Sequence, residues 1–550
     1  MGKAVCGGGP LPGTPLDLPA PTPPVPAGPD RLGRVLARAA ALTAALTIAG
    51  AVLGLVRDQY IAHLFGAGED SDAFLVAWTV PEMASTLLIE DGMALVLVPA
   101  FSHALARRAA RPTQDPDPVR ALVGYTLPRL VLVLTGCAAL LVAAAPLAVQ
   151  LLAPGLSRPD VAVACTRLTA VTLLAFGLTG YFSAALRAHR SFAAPATIYV
   201  AYNVGIIGTM LLLHDAWGIR AAAAGVALGS CLMVLVQLPS FLYHRAASVR
   251  IPAPRAGHGA VAHPAALTLA ALAPIVLFTV SRQLQVVVER FLAAGLPAGA
   301  ISHLNYAQKV AQIPMVLSLM ICTVTFPVVA QAMADGDSER VRHRIERDLI
   351  GAALVVLVGS AFVIGYAPQI VEVLFQRGAF DSADAAVTAG VMRVYALGLL
   401  GQCLVGALCR PYFSTRRPTW YPLAAMVAGL STSTVAGALG VHVWGAYGIA
   451  AANALGISVA AALLLGGLGP RVVPIRLSTT AIALARPAAL AAISAAAGLL
   501  VGPLVPHAFL SLCVGCLLVP ALFLASGAAL RVPEILDLID WLRRKVRHAR

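Results

Sequence analysis

The chain has 550 residues, of which 59% are hydrophobic and only 12% charged, with a net charge of +14 and a mean hydropathy of +0.83. Soluble domains carry about 25% charged residues, so this composition excludes a string of soluble domains and asks for lipid around apolar runs of about 20 residues. The Arg surplus lies in short clusters between those runs, not on one soluble face; that is the pattern of loops at an anionic membrane surface, and it excludes nucleic acid as a partner.

Residues 1–30, GGGPLPGTPLDLPAPTPPVPAGPD within them, are rich in Pro and Gly and are predicted to form a disordered cytoplasmic tail. They do not resemble a secretory leader, whose charged and apolar parts stand in a different order. Fourteen membrane spans follow, predicted at 36–62, 72–105, 124–151, 161–186, 194–213, 219–243, 265–294, 301–331, 349–374, 387–411, 422–440, 444–467, 479–503 and 507–530. The chain is therefore read as an all-α integral membrane protein with about fourteen transmembrane helices.

Every second loop is basic: Arg107, Arg108, Arg111 and Arg120, then Arg187 and Arg190, then Arg245, Arg250 and Arg255. The series continues with Arg340, Arg342, Arg344 and Arg347, with Arg410, Arg416 and Arg417, with Arg471 and Arg476, and with the tail from Arg543 to Arg550. The intervening loops are neutral or acidic, such as GAGEDSD at 66–72 and GLPAGA at 295–300. The positive-inside rule then puts both termini in the cytoplasm, which requires an even number of spans.

An internal repeat is also legible. Ala185-Leu186-Arg187 followed by Pro195 matches Ala407-Leu408-Cys409-Arg410 followed by Pro418, and Pro81 and Pro99 match Pro314 and Pro327 at nearly the same offset. Six spans per repeat is an even number, so the copies are parallel. The predicted organisation is one lobe over 31–243 (spans 1–6), a second over 264–467 (spans 7–12), two added spans over 479–530, and a basic amphipathic cytoplasmic tail over 531–550. Two such lobes with a shared interface are the architecture of an alternating-access transporter.

Charged side chains inside spans cost about 2.5–3.5 kcal/mol each on insertion scales, so they must face water or a partner. Arg57 and Asp58 end span 1. In span 2, PEMASTLLIEDGMALVLVPAF places Glu82, Thr86 and Glu90 on one helical side. In span 7, SRQLQVVVERFLAAG puts Arg282, Gln285 and Glu289 on one stripe with Arg290 beside it, and span 8 adds Asn305, Lys309 and Gln312. Lys309 is the one Lys of the membrane region, Lys3 and Lys545 lying in the tails. A hydrated cavity lined by Arg and Lys would draw an anionic group such as phosphate; an ion-pair network between helices, with Arg57 and Asp58 as an interfacial anchor, is the structural alternative.

The nine Cys lie mostly within apolar runs (Cys137, Cys165, Cys231, Cys322, Cys403), and the Cys513–Cys516 pair has no second pair near it. They read as small apolar side chains, not as metal or redox ligands. Walker loops, metal motifs and nucleophile elbows are missing from the sequence, which argues against an enzyme and against a resident cofactor. Membrane potential or a cation remains as the energy source, one charge through 100 mV being worth about 2.3 kcal/mol.

VLGLVRDQYIAHLFGAGEDSDAF at 52–74, LRAHRSFAAPATIYVAYNV at 186–204, VVVERFLAAGLPAGAISHLNYAQKVAQIP at 286–314 and LFQRGAF at 374–380 together resemble the MurJ/MviN lipid II flippases. These form a branch of the multidrug/oligosaccharidyl-lipid/polysaccharide exporter superfamily. The resemblance implies fourteen helices, a cavity between two lobes, and export of a peptidoglycan precursor carried on undecaprenyl pyrophosphate. It also implies site roles for Arg57, Asp58, Asp72, Glu90, Glu289 and Arg290. Where that family usually has Arg, this chain has Ala51 and Ser85; Lys309 replaces the Arg of a Tyr-Ala-Asp-Arg motif, Gln312 stands where some members have Glu, and span 11 reads LSTSTV. The expected partners are a polyprenyl-pyrophosphate-linked glycan, membrane lipids and proteins of cell-wall synthesis. Two other functions remain open at this stage: a flippase for a different polyprenyl-linked glycan, and a non-transporting relative that scaffolds envelope synthesis.

The tail RVPEILDLIDWLRRKVRHAR carries Val532, Ile535, Leu536, Ile539, Leu542 and Val546 at helical spacing, with acids early and bases late. Acid-first, base-last order suits the helix dipole. A helix lying on the membrane surface is expected there.

Overall fold

The computed structural model describes residues 29–110, 117–246, 269–320, 322, 338–413 and 419–548, and every regular element among them is helical. Residues 1–28, 265–268 and 323–331, together with Arg111, Arg250, Arg255, Pro327, Arg416, Arg417, Pro418 and Arg550, lie outside the described residues. Pro29 and Asp30, expected to belong to the disordered tail, instead open the first helix.

Span 1 is α1 (Pro29–Phe65). Span 2 is α2 (Glu69–Ser85), a π segment (Thr86–Asp91) and α3 (Gly92–Ala110). Span 3 comprises α4 (Pro118–Ala143) and α5 (Ala145–Leu152), and span 4 comprises α6 (Pro159–Thr169) and α7 (Thr172–Ala188). Spans 5 and 6 are α8 (Ala193–Trp217) and α9 (Arg220–Ala246). The second half begins with α10 (Leu269–Ala293) and α11 (Ala300–Ala311), the latter continuing as helix over 313–320. It proceeds through α12 (Ser338–Phe375), α13 (Ser382–Ala396), α14 (Leu399–Phe413), α15 (Tyr421–Trp444) and α16 (Ala446–Arg471). Spans 13 and 14 are α17 (Leu477–Val501) and α18 (Ala508–Ala529), and α19 (Pro533–His548) closes the chain.

Eleven of these spans are long and apolar enough to cross a membrane by themselves, and the bent pair α13–α14 makes a twelfth. The other two expected spans, 7 and 8, are described only in part, as α10 and as α11 with its continuation, because residues 265–268 and 323–331 lie outside the described residues.

The two halves repeat one another in detail. Span 4 breaks between Thr169 and Thr172, and span 10 breaks at the matching point between Ala396 and Leu399, bent there by 47°. The fifth and sixth spans of each half form a hairpin turned on one glycine: Gly218 with φ 54° and ψ −138°, and Gly445 with φ 54° and ψ −130°. A positive φ of this kind costs Gly little and other residues much.

Within the first lobe α8 packs on α1 and α9, and α7 on α3, α4 and α9; within the second, α15 packs on α10 and α16, and α12 on α13. The added pair α17–α18 packs on α12 around a kink at Tyr366, which has φ −117° and ψ 19° and lies just before Pro368. The Tyr366 ring is fully buried, and a Cβ at Gly515 would come within 2.7 Å of it. Glycine is thus the residue that lets span 14 reach span 9.

Two sequence expectations change here. The π segment gives span 2 a wide turn, so Glu82 and Glu90 do not continue one α-helical side. The widened turn pushes the Leu88 carbonyl against α7, where an added Cβ at Gly180 would sit 1.8 Å from that oxygen. The tail helix α19 is not free on the surface along its first two turns. Val532 and Ile535 are buried, and Leu538 and Ile539 pack against the core.

Candidate functional site

A cavity of about 330 Å³ lies between α1, α2, α8 and α11. Along α1 its wall runs from Thr47 through Ala51 and Gly54 to Arg57, and along α2 from Trp78 to Ser85. These side chains share a wall because they recur at about helical period on each span.

Arg57 and Asp58 are sequence neighbours and would leave α1 in different directions, but the length of the Arg side chain lets it fold back. Nε and Nη2 of Arg57 both donate to Oδ1 of Asp58, at 3.0 and 2.7 Å. Its Nη1 donates to Oδ1 of Asn203 at 3.2 Å, and the guanidinium stands 5.2 Å from the Trp78 ring centroid. Trp78 in turn belongs to an aromatic row with Phe74, Tyr202 and Phe176. Asn203 holds spans 1 and 5 together, its Nδ2 donating to the carbonyls of Gly50 (3.0 Å) and Tyr199 (2.9 Å). The second oxygen of Asp58 meets Nζ of Lys309 at 3.4 Å. One carboxylate from the first lobe therefore joins a guanidinium of its own helix to an ammonium of the second lobe.

Arg57 and Asp58 are 9% and 8% exposed, whereas the Lys309 side chain is 29% exposed. Lys309, Arg57 and Glu82 line the cavity, and so do Ala51 and Ser85. Ala51, Ser85 and Lys309, three of the positions at which this chain departs from the resembled family, thus stand on the cavity wall.

The other predicted site residues lie elsewhere. Asp72 is buried at the start of span 2 and reaches the second lobe. Its carboxylate accepts from the Gly299 amide (2.8 Å), the Ser302 amide (2.8 Å) and the Ser302 hydroxyl (2.6 Å). It caps the N-terminus of α11 as an N-cap side chain would, but from a different lobe. Around it the ends of the lobes close tightly. The Ala379 amide donates to the His63 carbonyl (2.9 Å) and the Ala67 amide to Asp384 (3.4 Å), while within the second lobe His303 Nδ1 pairs with Thr388 Oγ1 (2.8 Å). Gly66 (φ 61°), Gly299 (φ 92°) and Gly378 (φ 62°) supply left-handed turns at this seam. The cavity extends from Arg57 toward Thr47, away from the seam.

Arg290 is 4% exposed and donates to the Ile301 carbonyl at 3.1 Å. Its position on α10 turns it toward the first turn of α11, and it does not line the cavity with Arg57 and Lys309. Glu289 is buried among α10, α13 and α16, accepting from the Tyr395 hydroxyl at 2.8 Å and from the Asn453 amide. Arg282, on the same predicted stripe, is exposed. The stripe is geometrically present but divided, because other helices cover only the Glu289 end. Glu90 is exposed and accepts from the Tyr199 hydroxyl at 2.9 Å.

Asn203, Asn453 and Trp78 were not singled out from sequence. The two Asn had a usable signal, since each is a lone amide within an apolar run, and an uncompensated amide in lipid is costly. Trp78 had none, because aromatic residues in spans are ordinary packing.

A family model described as lipid II flippase MurJ matches residues 61–518. The chain is 27% identical over 372 residues to the lipid II flippase MurJ of Burkholderia cenocepacia, covering 66% of this chain and 70% of that protein. It is also 27% identical over 408 residues to a probable lipid II flippase MurJ of Vibrio cholerae, covering 70% and 74%. In fold it is similar to a structure of lipid II flippase MurJ in an inward closed conformation, with TM-score 0.70 and 19% identity, covering 90% of this chain and 99% of that one. An inward-facing multidrug transporter of the MATE family gives TM-score 0.60 at 15% identity over 80% of this chain and 99% of that one.

Proposed function

The chain belongs to the lipid II flippase family MurJ, and on that premise we propose that it carries lipid II, a peptidoglycan precursor on a polyprenyl diphosphate, from the inner to the outer leaflet of a bacterial inner membrane. Two lobes closed at one end over a polar cavity support alternating access as the route.

The observation that carries the mechanism is the bridge Arg57–Asp58–Lys309. Three of the five N–H groups of Arg57 are bonded to Asp58 and Asn203 in this state, so a diphosphate that takes the Nε–Nη2 edge displaces Asp58. Phosphate suits the exchange, because it accepts the same two parallel N–H bonds as a carboxylate and carries more charge. Losing Asp58 to substrate also loosens Lys309, which sits on the other lobe. Binding in the cavity is thereby coupled to the contact between lobes, and such couplings are typically worth about 1–3 kcal/mol. Asp72, beyond the cavity, holds the seam that must part next. Glu289, buried in the second lobe with Tyr395 and Asn453, is a candidate for coupling to membrane potential or a cation.

Arg57→Ala and Lys309→Ala should each lower flipping of a lipid-linked diphosphate in proteoliposomes about tenfold or more, while Lys309→Arg retains it. If the bridge is only structural, removing one partner costs about 3–5 kcal/mol and lowers protein yield first. A well-expressed Lys309→Ala protein with full activity would exclude this mechanism. Failure to complement a flippase-depleted bacterium, with normal insertion, would favour the scaffolding role instead.

Ala51 and Ser85 on the cavity wall favour a second reading, a polyprenyl-linked glycan with a smaller anionic head. A direct comparison of transport of the two lipid classes by the wild-type protein separates them.

A further inference from the structure

Among the eleven described spans long and apolar enough to cross a membrane without a sharp bend, α4 is the least covered by protein: only 6% of its most apolar stretch is buried, against 11% or more for the other ten. Val119, Val123 and Leu134 face the lobe, while Tyr125, Leu132, Val133 and Leu140 are 60–74% exposed. In a membrane protein of this family that outer face meets lipid. Arg129 lies on it, exposed, eleven residues into a helix that is otherwise apolar there.

Its side chain does not extend outward. Nη1 donates to the Tyr125 carbonyl at 2.9 Å, and the guanidinium carbon lies 3.4 Å from the Tyr125 ring centroid. Both contacts draw the charge one turn toward the α4 N-terminus, the nearer membrane surface, as a snorkelling Arg does. Among the described residues no other acceptor reaches the guanidinium. Nε and Nη2 are left side by side, in the arrangement that receives two oxygens of one phosphate. A charge facing hydrocarbon with two unmet donors needs an acceptor from the lipid itself, and phosphate is the acceptor at that depth.

We propose that Tyr125 and Arg129 form a binding site on the lipid-facing side of α4 for the phosphate of a membrane lipid. The Tyr125 ring fixes the guanidinium plane, and the paired N–H groups take the phosphate. Two lipids carry this chemistry: an ordinary anionic phospholipid, and a polyprenyl phosphate of the kind that bears the transported precursor. The site stands whether or not the chain transports lipid II.

The test is native mass spectrometry on the detergent-purified full-length protein, titrated separately with phosphatidylglycerol and with undecaprenyl phosphate. Arg129→Gln should weaken the tightest lipid adduct about tenfold, as expected for losing one charge-assisted contact of about 1.4 kcal/mol. Tyr125→Leu should weaken it less, and Arg129→Lys should fall between wild type and Arg129→Gln because the charge remains without the planar fork. A loss confined to undecaprenyl phosphate assigns the site to the polyprenyl carrier, and a loss for both lipids assigns it to phosphate in general. Equal adduct affinities in wild type and Arg129→Gln for both lipids would overturn the proposal. Removing a lipid-facing charge leaves no buried partner behind, so the variants should fold normally.

Discussion

Asp72 shows how a single carboxylate can act between lobes. Its three donors belong to Gly299 and Ser302, at the N-cap and in the first turn of α11, where backbone amides have no partner inside their own helix. Replacing such a cap by Ala costs about 0.5–2 kcal/mol, and here the cost falls on the closed seam, not on a helix alone. Asp72→Ala should therefore shift the population toward parted lobes. A single cysteine at Ala300, buried in the closed state, should then react several-fold faster with maleimide. Asp72→Asn should give a smaller change, since its remaining oxygen can still accept. An unchanged labelling rate for Asp72→Ala would mean that the seam rests on other contacts.

Two elements are set by residues that a hydropathy profile treats as neutral. Spans 13 and 14 approach span 9 across Gly498 and Gly515, which flank the Tyr366 ring. Gly515→Val overpacks this contact and should destabilise by about 1–3 kcal/mol, seen as a lower thermal midpoint. Adding Tyr366→Ala should recover part of that loss, because the two sites share one volume. If Gly515→Val melts like wild type, the ring does not govern the docking. The second element is α19. A left-handed Arg531 (φ 49°) turns the chain sharply after span 14, with the Val532 amide bonded to the Gly527 carbonyl at 2.9 Å. Its early apolar residues dock on protein, and its later Arg543, Arg544, Lys545 and Arg547 suit an anionic lipid surface. Truncation after Arg531 should preserve membrane insertion and transport, with a modest loss of thermal stability from uncovering the site of Ile535. Normal insertion with lost transport would contradict this.

For the molecule as a whole, the seam and cavity acquire direction only from topology. The Arg pattern predicts that residues around Arg340 are cytoplasmic and those around Pro297 external; with that orientation the seam would close the outer face and the cavity would open inward. Single cysteines at these two places in a cysteine-free protein should be labelled from opposite sides of the membrane. Labelling of the Arg340 site from outside would invert or break the fourteen-span order. With that orientation the state seen here would be the loading state, reached by substrate from the cytoplasmic leaflet.

The sequence by itself determined the membrane class and the expensive charges, and set the expectation of fourteen spans in two repeated halves. The cause is local: each run is judged against one solvent, hydrocarbon, and insertion energy depends on composition over about 20 residues. It also pointed to Arg57, Asp58 and Lys309, since ionised groups in apolar runs cannot be incidental. What only the tertiary structure decided is which of those charges meet. Arg57 and Lys309 share Asp58 because the long Lys309 side chain reaches from α11 to the carboxylate on α1, whereas Arg290, beside Glu289 in sequence, turns to a backbone carbonyl at the seam. Glu82 and Glu90 part because a π turn intervenes. Asn203 joins the site because its span packs on α1 through Gly50. Hydrophobicity is a property of each segment taken alone, but pairing is a property of distance, and distance between helices is set by side-chain packing that no single segment contains.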